Sequence, residues 1–442
     1  MNHNIISRTV HKNTRLGERY TEILHASGLK IFVYPKKCSS TYAILQVGLG
    51  SMDAEYLDAQ GNARTMPLGT AHYLEHKMFE NADGVNSDLR FSALGAECNA
   101  FTSYDRTAYL FNTTSNVKAC LRELLRFVTH PYFTEESVER ERGIIAEEIR
   151  GAADHPWERA YAQMIKAMYK QHTVRYEIAG SEQSIAQVTP ELLYSCTDTF
   201  YLPSNMSLAV CGDVTPAQVL CAVDAELSSE YKQMQFTHKQ FKESPCVQST
   251  RAVSYMPVPK PVFYIGLKDV DISADPAERI RKDACMTLLF ELIFSMSGKL
   301  CSDLYEQGQI SYGMYYGYSI NERVATGTAA GEAHDPEAVY AAVLAYIEKL
   351  KKEGIPQEDF ERCKRVEYGN FVAEFDSPEN IVNMLLSFAD DGSEMLAYPS
   401  VMQSVTYELC NEYLHKCFDE KYMCLSVVYP EDKENQGGHD HE

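Results

Sequence analysis

The pentapeptide His72-Tyr73-Leu74-Glu75-His76 constrains this chain more than any other stretch. Two histidines four residues apart lie one turn above each other on an α-helix, so both imidazoles project from one face and can share a metal ion. Glu75 stands three residues from His72 and next to His76, beside that face, where its carboxylate can reach a water without displacing it. Zinc suits the arrangement, because two neutral imidazoles and one carboxylate leave the fourth tetrahedral position open. The third ligand would crowd the same turn, so it has to come from a second helix. The expectation is one zinc ion per chain, with Glu75 as general base in the hydrolysis of a peptide bond.

The segment ERGIIAEEIRGAADHP supplies a second helix. Glu141 and Glu148 are two helical turns apart and share a face, so one carboxylate can bind the metal while the other orients a ligand. Ile144, Ile145 and Ile149 are expected to form the apolar side on which this helix packs.

The remainder of the chain bounds the setting. Its 442 residues exceed one compact core and suit two domains, and 45% hydrophobic with 23% charged residues is the balance of a globular protein. No apolar run approaches the roughly 20 residues that cross a bilayer, and no secretory signal is visible, so a cytoplasmic protein with no membrane partner is expected. Thirteen scattered cysteines without a C-x-x-C pair read as reduced, mostly buried thiols. A formal charge of -21 excludes a nucleic-acid partner, which would need a basic face.

Along the chain, YTEILHASGLKIFVYP predicts a hairpin turning at Ser27 and Gly28, and TYAILQVGLG a further strand. A helix from near Thr70 carries the histidines, a short one stops at Gly95, and AECNAFTSYDRTAYLFNTT predicts a hairpin around Ser103, Tyr104 and Asp105. Helices then dominate until the strand in SNMSLAVCGDV, with one capped by Thr189 ahead of Pro190. The polar stretch 234–253 reads as a linker, which places a zinc-binding domain at 1–233 and a second domain at 254–432. Beyond the linker the order strand, helix, hairpin, helix recurs. The fold class is therefore α+β, with two related domains, each an antiparallel-rich sheet flanked by helices. Trp157 and the tyrosines of YGMYYGY read as packing residues, and the tail ENQGGHDHE as disordered, with solvated histidines.

Taken in order, GTAHYLEHKMFE, ECNAFTSYDRTAYLF, ERGIIAEEI and FYLPSNMSLAVCGDV resemble the pitrilysin/insulinase peptidases, whose H-x-x-E-H motif inverts the commoner zinc motif. The resemblance implies that the metal is held by His72, His76 and Glu148, with Glu141 in support of the ligands. It also implies that Asn99, Ala100, Phe101 and Thr102 form an edge strand that holds the substrate backbone by β-augmentation. In the family four such domains form a clamshell, so two would be half of one, and short or unfolded peptides would be cut in the enclosed chamber. An arginine and a tyrosine seven apart complete the family's site from the facing domain. In LYEQGQISY the tyrosine is present as Tyr312, but Tyr305 occupies the arginine's place. A homodimer, or a heterodimer with a related subunit supplying the Arg/Tyr pair, is the implied assembly. The alternative is a non-catalytic scaffold or a peptide-binding accessory subunit of a peptide-maturation complex.

Overall fold

The computed structural model describes residues 4–234 and 236–431; the tail expected to be disordered lies outside them. Two compact units are present, one of residues 1–149, 176–240 and 370–398, the other of 150–175, 241–369 and 399–442.

The first unit is built on a seven-stranded mixed sheet in the order Ile5–Asn13, Glu18–His25, Lys30–Pro35, Met206–Gly212, Thr41–Val47, Thr107–Thr113, Ala96–Thr102. Among the described residues of this sheet, only Lys30–Pro35 and Met206–Gly212 pair in parallel. Every residue of Thr41–Val47 and of Met206–Gly212 is buried, so the centre of the sheet is covered on both faces. Part of that cover is helix Pro378–Asp390, which packs on these two strands with Ile381, Val382, Leu385 and Leu386 buried. At one end of the sheet, Ala96–Thr102 is an edge strand paired only with Thr107–Thr113 among the described residues.

The second unit carries a five-stranded sheet in the order Arg251–Met256, Met423–Pro430, Val262–Asp269, Ala325–Glu332, Tyr315–Ile320, again with one parallel pair. Strand alternation explains how it is covered. Gly266 and Gly327 sit on neighbouring rungs of the ladder, Gly327 opposite Leu267, so they face opposite sides. A Cβ on Gly266 would stand 2.8 Å from Met164 and Met168 of helix Pro156–Met168, whereas one on Gly327 would stand 2.2 Å from Phe290 of helix Pro276–Phe294. Glycine at both positions lets a helix close on each face. Trp157 packs edge-on against Tyr264 and Tyr315, the packing role read from the sequence.

Three expectations need amendment. The division at 1–233 and 254–432 is contiguous, whereas the compact units exchange two helices: Pro156–Met168 joins the five-stranded sheet and Pro378–Asp390 the seven-stranded one. An apolar helix goes where its buried face is covered, and chain proximity does not decide that. The 234–253 linker is not featureless, since Phe236–His238 pairs with Glu55–Asp58 and Arg251 begins a strand. Finally, the stretch Pro276–Glu306 is long and apolar enough to cross a bilayer by length and composition, with 78% of its most apolar window buried, as in a core helix.

Candidate metal centre

The helix Thr70–Lys77 begins at a tight junction. Gly69 has φ +86°, and a Cβ there would lie 2.3 Å from the Ala179 carbonyl oxygen; the reciprocal Gly180 has φ +76° and faces Leu68 at 2.4 Å. Only glycine satisfies both the left-handed backbone and the close approach. Tyr73 and Leu74 are fully buried and turn the opposite face, with His72 and His76, outward. Two polar contacts tie this short helix to Glu135–Ala153: the Tyr73 hydroxyl donates to the Val138 carbonyl, and Lys77 Nζ donates to the Ser137 carbonyl at 3.2 Å.

These ties bring the two helices' ligands together. Ligand atoms of His72, His76 and Glu148 all lie within 4.8 Å of one another. Glu148 Oε2 is 3.8 Å from His72 Nε2 and 3.5 Å from His76 Nε2, too long for hydrogen bonds. Atoms about 2.1 Å from a shared zinc at tetrahedral angles stand about 3.4 Å apart. The spacing therefore fits a divalent ion better than direct contact. The two second nitrogens differ. His76 Nδ1 lies 3.0 Å from Glu141 Oε1; with Nδ1–H donating, Nε2 is left as an acceptor. His72 Nδ1 is buried with no hydrogen-bond partner.

Electrostatics push the two rings in opposite directions. Burial, then the neighbouring His76, push His72 down to about 4, so its ring is neutral near pH 7. Burial also opposes charge on His76, but Glu141, Glu148 and Glu75 outweigh it and raise that ring. Glu141 is held below the ordinary carboxyl range by its bond to His76, against its own burial. Glu75 is raised by burial, with the Thr102 hydroxyl pulling the other way through a 2.7 Å bond to Oε2.

The four residues read as a substrate strand divide by strand alternation. Ala100 and Thr102 are half-buried, on the side that packs against Thr70–Lys77, while Asn99 and Phe101 are exposed. The isoleucine expectation needs correcting. Ile145 is fully buried and Ile149 packs against the core, but Ile144 is 48% exposed. At about 100° per residue, Ile144 falls on the far side of Glu141 and Glu148 from the other two.

Sequence reasoning missed Lys77. Its side chain is fully buried, 2.7 Å from Glu80 and 3.9 Å from Glu141, so it backs the carboxylate that holds His76. A lysine directly after the second histidine, with an acidic residue three further on, is the signal that could have found it. The hydroxyl pair of Tyr109 and Tyr201, buried at 2.8 Å, carried no such signal.

A glutamate and two helix-borne histidines, set on an α+β scaffold of two mixed sheets, define the class: the chain belongs to the insulinase family of peptidases, M16. Residues 36–182 match the family model described as insulinase (peptidase family M16), and 187–367 match that described as the peptidase M16 inactive domain. Among individual proteins, the chain is 35% identical over 388 residues to the uncharacterized zinc protease YmfH of Bacillus subtilis, covering 87% of this chain and 90% of that one. It is 23% identical over 377 residues to the uncharacterized zinc protease YmxG of the same organism, covering 82% and 88%. Among solved structures, an M16-like peptidase from Alicyclobacillus acidocaldarius superposes with a TM-score of 0.87 at 30% identity, covering 92% of this chain and 96% of that one. Pitrilysin shares the fold at a TM-score of 0.74 and 16% identity, but the match covers 97% of this chain and only 46% of pitrilysin.

Proposed function

We propose that the chain is a zinc-dependent endopeptidase that cuts short or unfolded peptides held in extended form. The observation that carries the reading is the convergence of His72, His76 and Glu148 within 4.8 Å, with Glu75 on the same helix. Zinc, when bound there, supplies a Lewis acid that polarises the peptide carbonyl and lowers the pKa of water to about 7. The chain's own residues do the rest. His72 and His76 offer their Nε2 atoms, and Glu141 fixes the His76 ring through Nδ1. Glu75 takes the proton from the attacking water and returns it to the leaving amine. The open edge of Ala96–Thr102 pairs with the substrate backbone.

The Glu75→Gln variant should keep its zinc and lose cleavage of a quenched fluorescent peptide, whereas His76→Ala should lose the metal. Cleavage by the glutamine variant at near wild-type rate would remove Glu75 from its role.

The finer reading adds a partner. The chain corresponds to about half of pitrilysin, and Tyr305 and Tyr312, the positions that resemble the family's Arg/Tyr pair, are 51% and 44% exposed. A homodimer, or a heterodimer with a related subunit that supplies the arginine, accounts for both features. Recovery of such a subunit with the chain from its native cell supports the heterodimer; full peptidase activity of the chain alone counts against it. Thirteen free cysteines, nine of them buried, suit the cytoplasm as its place of action.

A further inference from the structure

We propose that Thr102 is the positioning residue for Glu75, and that the loop Gly50–Asp53 holds Thr102 where it can do this. The inference rests on the reading of Glu75 as general base. Thr102 ends the edge strand, paired with Thr107 across the hairpin, and its hydroxyl donates to Glu75 Oε2 at 2.7 Å. A carboxylate on a short helix has several rotamers, and proton transfer needs one of them within hydrogen-bond reach of the water. The hydroxyl fixes one oxygen and leaves the other for the proton. Because a hydroxyl on a strand can be aimed only if the strand's end is fixed, what holds the hairpin also matters.

That end is clamped from outside. Ser51 N–H donates to the Ser103 carbonyl at 3.1 Å and Met52 N–H to the Tyr104 carbonyl at 2.9 Å. Gly50 lies so close to this turn that a Cβ would stand 2.4 Å from the Tyr104 carbonyl and the Asp105 nitrogen. The loop in turn is fixed by Asp53, 1% exposed, whose carboxylate accepts from Gly50 N–H at 2.8 Å and meets His238 Nδ1 at 2.8 Å. The strand that receives substrate on its open edge is thus the strand that aims the base. Ala100 and Thr102 share the inward parity, yet only Thr102 carries a group able to reach Glu75.

Thr102→Val and Thr102→Ser, each alone and in the Glu75→Gln background, separate this inference from the reading beneath it. Thr102→Val should lower kcat roughly tenfold to a hundredfold, part of a general base's usual contribution, with KM and zinc content unchanged. Thr102→Ser should restore most of the loss. In cobalt-substituted protein, Thr102→Val should alter the visible bands when Glu75 is present and leave them unaltered in the Glu75→Gln background. Unaltered bands in both backgrounds, or a fall in kcat/KM that lies wholly in KM, overturns the inference and makes Thr102 a substrate contact. If Glu75→Gln itself cuts normally, the general-base reading fails first and takes the inference with it.

Discussion

His76 and Glu141 illustrate how a single contact sets a ligand's chemistry. The carboxylate engages Nδ1 and so leaves Nε2 as the nitrogen turned toward Glu148; buried Lys77 lies beside that carboxylate. Glu141→Gln should therefore weaken zinc binding about tenfold to a hundredfold, read by competition with a chromogenic chelator, while the far-ultraviolet circular dichroism stays unchanged. Residues of this kind differ in how far the sequence exposes them. His72, His76 and Glu148 were legible because their spacings of four and seven bear on helix geometry and on a known motif. Thr102 was legible only as part of a substrate-holding strand, because it reaches Glu75 across a tertiary contact that no local spacing encodes; Lys77 left a local trace in Glu80 three residues on, but its approach to Glu141 is likewise tertiary.

At the scale of elements, the second unit holds an unusual carboxyl on helix Gln357–Ala373. Burial, then the Glu291 carboxylate, raise Glu367 to about 7. Glu291 is itself buried and accepts from the Tyr316 hydroxyl, with Arg362 3.6 Å away. Since the folded pKa lies above the unfolded one, the folded state keeps a proton that the unfolded chain gives up. The stability this group contributes is full below about 4.5 and is lost as pH rises through about 7. The melting temperature of Glu367→Gln relative to wild type should accordingly rise between pH 5 and pH 8; a constant difference across that range would exclude the linkage. Most elements were readable from periodicity: the helix starting at Thr70, the hairpin over Ala96–Thr113 and the helix Glu135–Ala153 fall where expected. The strand Ile5–Asn13 did not declare itself, because most of it is exposed on both faces and so carries no alternation of apolar and polar residues.

For the molecule as a whole, composition and element order gave two α+β bodies, and motif order gave the family. Neither could give the exchange of helices, since an amphipathic helix advertises an apolar face without naming the sheet it will cover. That exchange has a consequence for anyone dissecting the protein. Residues 1–240 hold the His72, His76 and Glu148 cluster and every strand of the first sheet, yet lack the segment 370–398. Cut there, the fragment would leave the backs of Thr41–Val47 and Met206–Gly212 wet where Ile381, Val382, Leu385 and Leu386 now shield them. The first unit is thus finished only by chain made more than a hundred residues after the last strand of its main sheet, and a ribosome halted short of that point would release a body that has the histidine–glutamate cluster but no closed interior.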